Sequence, residues 1–156
     1  MRTNLLADKW QRLILCVLLF GTTLSMSAQQ KLQIEQVFDR FARAKNCKMV
    51  FLRHTTLRGF QLDVYKSLTY KNLAPVIEPY LKADRKQAKK IKEVIEDGRV
   101  ISGYYMMTPL KEGVNRYILF GKGTKNSGTV IYIEGALTPD EIMKMCYSQR
   151  RYITSN

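Results

Sequence analysis

Cys16, Cys47, Cys146 and the single histidine, His54, are the residues best suited to act as nucleophile, base or metal ligand. Their spacing assembles little. Structural zinc sites draw their ligands in closely spaced pairs, and no Cys or His pair here stands at such a spacing. Cys47 with His54 is a conceivable nucleophile and base, but it matches no catalytic motif; His54 reads more simply as an exposed or hydrogen-bonded loop residue. The carboxylates Glu93, Glu96 and Asp97 fall together in a charged hairpin, where solvation accounts for them. Gly121-Lys122-Gly123-Thr124 looks like part of a phosphate loop. That motif requires a glycine five residues before its Gly-Lys pair and Ser or Thr directly after the lysine, whereas Arg116 and Gly123 occupy those places. The segment also lies between two expected strands and lacks the helix N-terminus that would hold a phosphate. No catalytic residue, metal or cofactor is assigned.

What the chain does offer is positive charge. Lys82, Arg85, Lys86, Lys89, Lys90 and Lys92 form its densest run. On a helix, Arg85 and Lys89, or Lys82, Lys86 and Lys90, stand one turn apart and make a basic ridge. Such a ridge is either a solvated face or an anion-binding one. No aromatic residue interrupts Arg85 to Lys92, so the stacking platform of a single-strand nucleic-acid binder is missing there.

The compartment decides which anion that charge meets. Residues 1–28 carry a basic head (Arg2, Lys9, Arg12), an eight-residue apolar block from Leu13 to Phe20, and the small residues Ser25, Ser27 and Ala28. That order is the pattern of a secretory signal peptide, cut after Ala28 or, failing that, after Ser27. The apolar block is well short of the roughly 20 residues that span a bilayer, and Gly21-Thr22-Thr23 follows it. Cys16 lies inside the block, which does not fit a lipoprotein. The sequence therefore predicts a soluble exported protein, periplasmic or extracellular, without a stable transmembrane anchor.

The chain has 26 Lys and Arg against 13 Asp and Glu, a net charge of +13. Without the three basic residues and one acid of the leader, 23 face 12, a net of +11. Outside the cell such a surface attracts anionic glycans, lipid head groups or an acidic envelope protein, with no nucleic acid to meet. Residues 29–150 fit one domain with a sizeable core, followed by a frayed tail over 151–156. Cys47 and Cys146 remain after cleavage. Bridged, they would close a loop of about 100 residues, for which the chain-entropy model gives about 4.7 kcal/mol; two buried free thiols fit the sequence equally.

The elements follow from periodicity. Ile34, Val37, Phe38 and Phe41 line one face of a first helix. Met49-Val50-Phe51-Leu52 is continuously apolar, as a buried strand would be. Phe60, Leu62 and Val64 alternate with Gln61, Asp63 and Tyr65, the period of a half-buried strand. Asn72 to Leu81 returns to helical spacing; Pro79 predicts a kink or restart, with a second piece reaching about Lys90. Asp97-Gly98 sets a tight hairpin turn between Ile91–Glu96 and Arg99–Met107. Val114–Phe120 and Thr129–Glu134 read as further strands, making an antiparallel meander. Tyr104 to Met107 read as core and sheet face. Thr138-Pro139-Asp140-Glu141 opens the last helix with a capping box, and Leu137 and Ile142 are spaced as its hydrophobic staple.

Together these segments predict an α+β fold, an antiparallel β-meander sheet packed on one face by an N-terminal, a middle and a C-terminal helix. The leader, the helix Val37-Phe38-Asp39-Arg40-Phe41, the Asp97-Gly98 turn, the strand Asn115 to Phe120 and the segment Ile131 to Thr138 resemble small exported proteins of Bacteroidetes-type bacteria, in families of unknown function. The resemblance covers about Gln30 to Tyr147 and rests on caps, turns and core positions. It implies an envelope location and an α+β fold, and it carries over no catalytic residue. Many such relatives have a lipoprotein cysteine, from which this sequence departs. The reading favours a non-enzymatic binding or interaction protein of the envelope; the alternatives are a small periplasmic enzyme acting on glycan or peptide, and a structural or regulatory partner of another envelope protein.

Overall fold

The structure, a computed structural model, describes residues 31–147. The expected signal peptide over 1–28, its cut after Ala28 and the tail over 151–156 lie outside the described residues.

Helix α1 (Gln33–Phe41) forms where Ile34, Val37 and Phe38 share a face, and all three are buried. Leu32 precedes it and offers no side chain to the first free amides, which an α-helix always leaves without intrahelical partners. Another helix supplies the acceptor. Asp84, near the end of α2 (Ala74–Arg85), accepts the Gln33 amide at Oδ1 and the Ile34 amide at Oδ2, each at 2.8 Å. Burial pushes this carboxyl above its ordinary range, while the two amides and the nearby Arg116 pull it back. Asp84 and Arg116 are the buried charged residues of the core, and Arg116 Nε donates to the Thr108 carbonyl at 2.8 Å.

Six strands form one antiparallel sheet in the order β1-β2-β6-β5-β4-β3. They are β1 (Cys47–Leu57), β2 (Phe60–Tyr70), β3 (Lys89–Glu96), β4 (Arg99–Lys111), β5 (Val114–Lys122) and β6 (Gly128–Gly135). β3 to β6 make the expected meander, and Asp97 and Gly98 turn its first hairpin with φ of 49° and 71°, the positive values such a turn requires. The β1–β2 hairpin joins the meander along a single seam, from Val64 opposite Glu134 to Tyr70 opposite Gly128. Gly128 is required there, because a Cβ would run into the Tyr70 ring.

The alternating side chains feed two cores. Leu68, Tyr70, Tyr105, Met107, Ile118, Phe120, Val130 and Tyr132 face α1 and α2. Tyr117, Leu119 and Ile133 face the other way and pack with Ile142 and Met145 of α3 (Pro139–Tyr147). The α+β class, the antiparallel sheet and the three helices thus stand as the sequence predicts. The helices, expected together on one face, divide between two.

The capping box is formed: Glu141 Oε2 accepts the Thr138 amide at 2.7 Å, and Thr138 Oγ1 accepts the Glu141 amide at 3.3 Å. Two other expectations change. α2 continues through Pro79 as one helix and stops at Arg85, because the residues from Lys89 onward pair with β4. Met49–Leu52 lies in β1 at the sheet edge, not in a buried strand, and Val50, Phe51 and Leu52 are 40, 47 and 38% exposed.

Candidate functional site

The end of α2, the start of β3 and the β4–β5 surface enclose a cleft of about 760 Å³. Lys82, Arg85, Lys86, Lys90 and Lys122 line it, against two carboxylates, Glu78 and Glu93. Four of the six cations singled out from the sequence therefore meet here, but not as a helical ridge. Lys82, Arg85 and Lys86 come from the last turn of α2 and its C-cap. Lys90 comes from β3. Lys89 does not line the cleft, and Lys92 lies 4.4 Å from the ring of Tyr147 in α3, on the opposite face of the sheet.

The cleft base is ordered by a small network. The rings of Tyr105 and Phe120 stack 6.0 Å apart and 8° from parallel. The guanidinium of Arg85 sits over both, 5.2 and 5.6 Å from their centroids, a favourable use of the ring quadrupoles. Gly103 makes room for the stack, since a Cβ there would strike both rings. Glu93 Oε1 accepts from Arg85 Nη2 at 2.9 Å and from the Tyr105 hydroxyl, and Oε2 accepts from Lys90 Nζ at 3.3 Å. Those donors, the Tyr105 hydroxyl first, hold the Glu93 carboxyl below its usual range. Burial, then the Glu93 contact, push the Tyr105 hydroxyl up. Glu93 is thus a fixed anion that orients Arg85, and a poor proton donor at neutral pH.

Glu78 pairs with Lys122 at the far wall. Lys82 and Lys86 have no ion-pair partner among the described residues. A ligand entering the cleft would meet these two ammonium groups and the guanidinium that Glu93 and the rings hold in place. Sequence reasoning missed Lys122, Glu78 and the Glu93–Tyr105 contact. Glu78 and Lys122 meet because α2 packs against a strand far along the chain, and Glu93 meets Tyr105 across the β3–β4 hairpin; no local pattern announces either.

The thiols and the histidine do not assemble. Cys47 packs against the core under α1 and α2, and Cys146 against the core under α3. Both are free, so the bridge considered for them is not formed in this structure. Burial pushes both thiols up, away from the reactive thiolate. His54 lies in β1 rather than in a loop, exposed and with φ of 45°. It is seven positions from Cys47, roughly 23 Å along an extended strand, which separates the conceivable pair. Cys146 borders a second cavity of about 410 Å³, with Tyr65, Tyr104, Ile131 and Met145. Among the described residues neither a histidine nor a carboxylate lines it. Among the described residues no group of three or more His, Cys, Asp or Glu is placed to hold a metal, and no helix is long and apolar enough to cross a membrane.

No curated protein matches the chain. Among solved structures, a protein of unknown function from Pseudomonas aeruginosa is similar at 11% identity and a TM-score of 0.33, covering 70% of this chain and 81% of that one. A family of unknown function, DUF6108, matches residues 21–146. The chain belongs to that family.

Proposed function

We propose that the protein is an exported, non-enzymatic binding module of the cell envelope whose α2–β3 cleft takes an anionic group. The observation that carries this reading is the pair Lys82 and Lys86, free of carboxylate partners among the described residues, beside an Arg85 already oriented by Glu93 and two rings. Orientation in advance removes part of the ordering cost of binding. A concave site suits a carboxylate, sulfate or phosphate that projects from a chain better than it suits a flat bilayer, so an acidic glycan is the preferred ligand over lipid head groups or an acidic envelope protein.

The test titrates the purified protein with polygalacturonate, with anionic phospholipid vesicles and with a neutral glycan, at low and at physiological salt. Binding to the polyuronate that weakens with salt and is lost in Lys82→Glu/Lys86→Glu is the expected result. Absence of binding at low salt, or binding unchanged by the double reversal, overturns it.

A further inference from the structure

The two edges of the sheet differ in a way the cleft does not explain. β3, at one edge, carries register breaks at Lys90/Lys92 and Val94/Ile95, and bulges are a device that blunts an edge against further pairing. β1, at the other, is 11 residues long and pairs with β2 in unbroken register from Cys47 opposite Tyr70 to Arg53 opposite Val64. Its centre is the exposed apolar run Val50-Phe51-Leu52. No helix or strand covers its outer side among the described residues. From Cys47 to Arg53, ahead of the positive φ at His54, this is a regular edge with an apolar centre, which invites another strand.

We infer that β1 is a docking edge that accepts an extended segment of a partner protein in which apolar and acidic side chains alternate. The charge on and around β1 selects that partner. The strand holds Lys48, Arg53 and His54 and no carboxylate. On the α1 side a groove of about 590 Å³ runs beside it, lined by Arg40, Arg43, Phe51 and Lys66, with Asp39 the carboxylate on its wall. The Lys66 ammonium lies 5.5 to 5.8 Å from the rings of Phe51, Phe38 and Tyr132, and Arg53 lies 5.1 Å from Phe51. Successive side chains of an added strand alternate between sheet faces. Acidic groups would meet these cations on the groove side, while apolar groups on the other face cover Val50 and Leu52. A second copy fits poorly, because its β1 would bring Lys48, Arg53 and His54 and no carboxylate to an edge that is already cationic, and like charges brought together are destabilising. Residues 148–156 carry Arg150 and Arg151 and no acid, so the same repulsion disfavours them. Main-chain hydrogen bonds would supply affinity and the alternating side chains specificity.

The test uses fluorescent ten-residue peptides alternating Val with Glu, the same pattern with Lys, and the Glu peptide N-methylated at alternate residues, with anisotropy as the readout. The Glu peptide is expected to bind at least tenfold more tightly than the other two, and amide exchange to slow in β1 but not in β3. Arg43→Glu/Arg53→Glu, at exposed positions on the groove side, should abolish the preference for Glu over Lys, and Phe51→Glu should weaken binding about tenfold. Lys82→Glu/Lys86→Glu should leave it unchanged, which separates this edge from the cleft. Equal binding of the Glu and Lys peptides, tolerance of N-methylation, dependence on Lys82 and Lys86, or self-association through β1 in place of peptide binding would each overturn the assignment.

Discussion

Replacing Asp84 with alanine removes the side chain that, among the described residues, meets the first amides of α1, and the cost follows from the partners left behind. The Ile34 amide is buried and its bond to Oδ2 is lost; an unsatisfied buried donor costs about 1–3 kcal/mol. The Gln33 amide is partly exposed and recovers water. Loss of a negative charge at a helix N-terminus adds about 0.3–1 kcal/mol. Relief from burying a carboxylate, whose folded pKa is raised by that burial, offsets part of the sum. The net expectation for Asp84→Ala is about 2–3 kcal/mol, which for a domain of this size lowers Tm by about 8–12 °C. Asp84→Asn keeps one acceptor oxygen for the buried Ile34 amide and sheds the buried charge, but turns an NH2 donor toward the Gln33 amide, so it should lose less than Asp84→Ala without matching wild type. Thermal melts followed by circular dichroism at pH 7, with urea titrations alongside, measure both. A Tm for Asp84→Ala within about 2 °C of wild type would refute the cross-helix cap.

Glu93 titrates below its usual 4.5 in the folded protein, so its contribution is complete above that value and disappears as pH falls through the folded pKa. The stability advantage of wild type over Glu93→Gln should be constant near pH 7 and shrink below about pH 5 in urea melts. Gly103→Ala drives a methyl into Tyr105 and Phe120; it should cost about 1–3 kcal/mol by overpacking and weaken polyuronate binding by displacing Arg85, both readable on one preparation. Ile77→Ala, at a fully buried site in α2, should cost about 2–5 kcal/mol by chemical denaturation. Thr138→Ala should cost about 1 kcal/mol through loss of the α3 cap, and Thr138→Ser should restore it.

Features that a few neighbouring residues determine were legible in the sequence. The capping box at Thr138 and the turn at Asp97-Gly98 sit where expected because their geometry depends on residues within four positions. The end of α2 was not legible. Lys, Gln and Ala between Lys86 and Lys90 favour a helix as well as any residues do, but Lys89 to Glu96 find partners in β4, and pairing overrides propensity. That one boundary turned an expected ridge into a cleft, moving Lys92 to the other face and bringing Lys122 to the wall. The apolar run at Met49–Leu52 specified a strand but not its neighbours; burial on both sides and exposure at an edge look alike in composition. The division of the helices between faces was hidden for the same reason, since an amphipathic helix records that it covers a sheet and not which side.

The seam between β2 and β6 has a kinetic consequence. Its partners are 58 to 70 positions apart, from Tyr70 with Gly128 to Val64 with Glu134, whereas every other strand pairing is between sequence neighbours. The hairpin and the meander can form early by local closure, and their union must wait for the slow search that long loops impose. Until it closes, Val130-Ile131-Tyr132-Ile133 presents a bare apolar margin, the kind of segment that aggregates. In that interval the chain is most vulnerable at β6, and substitutions at Gly128, where a Cβ would meet Tyr70, should both delay closure of the seam and destabilise the closed sheet.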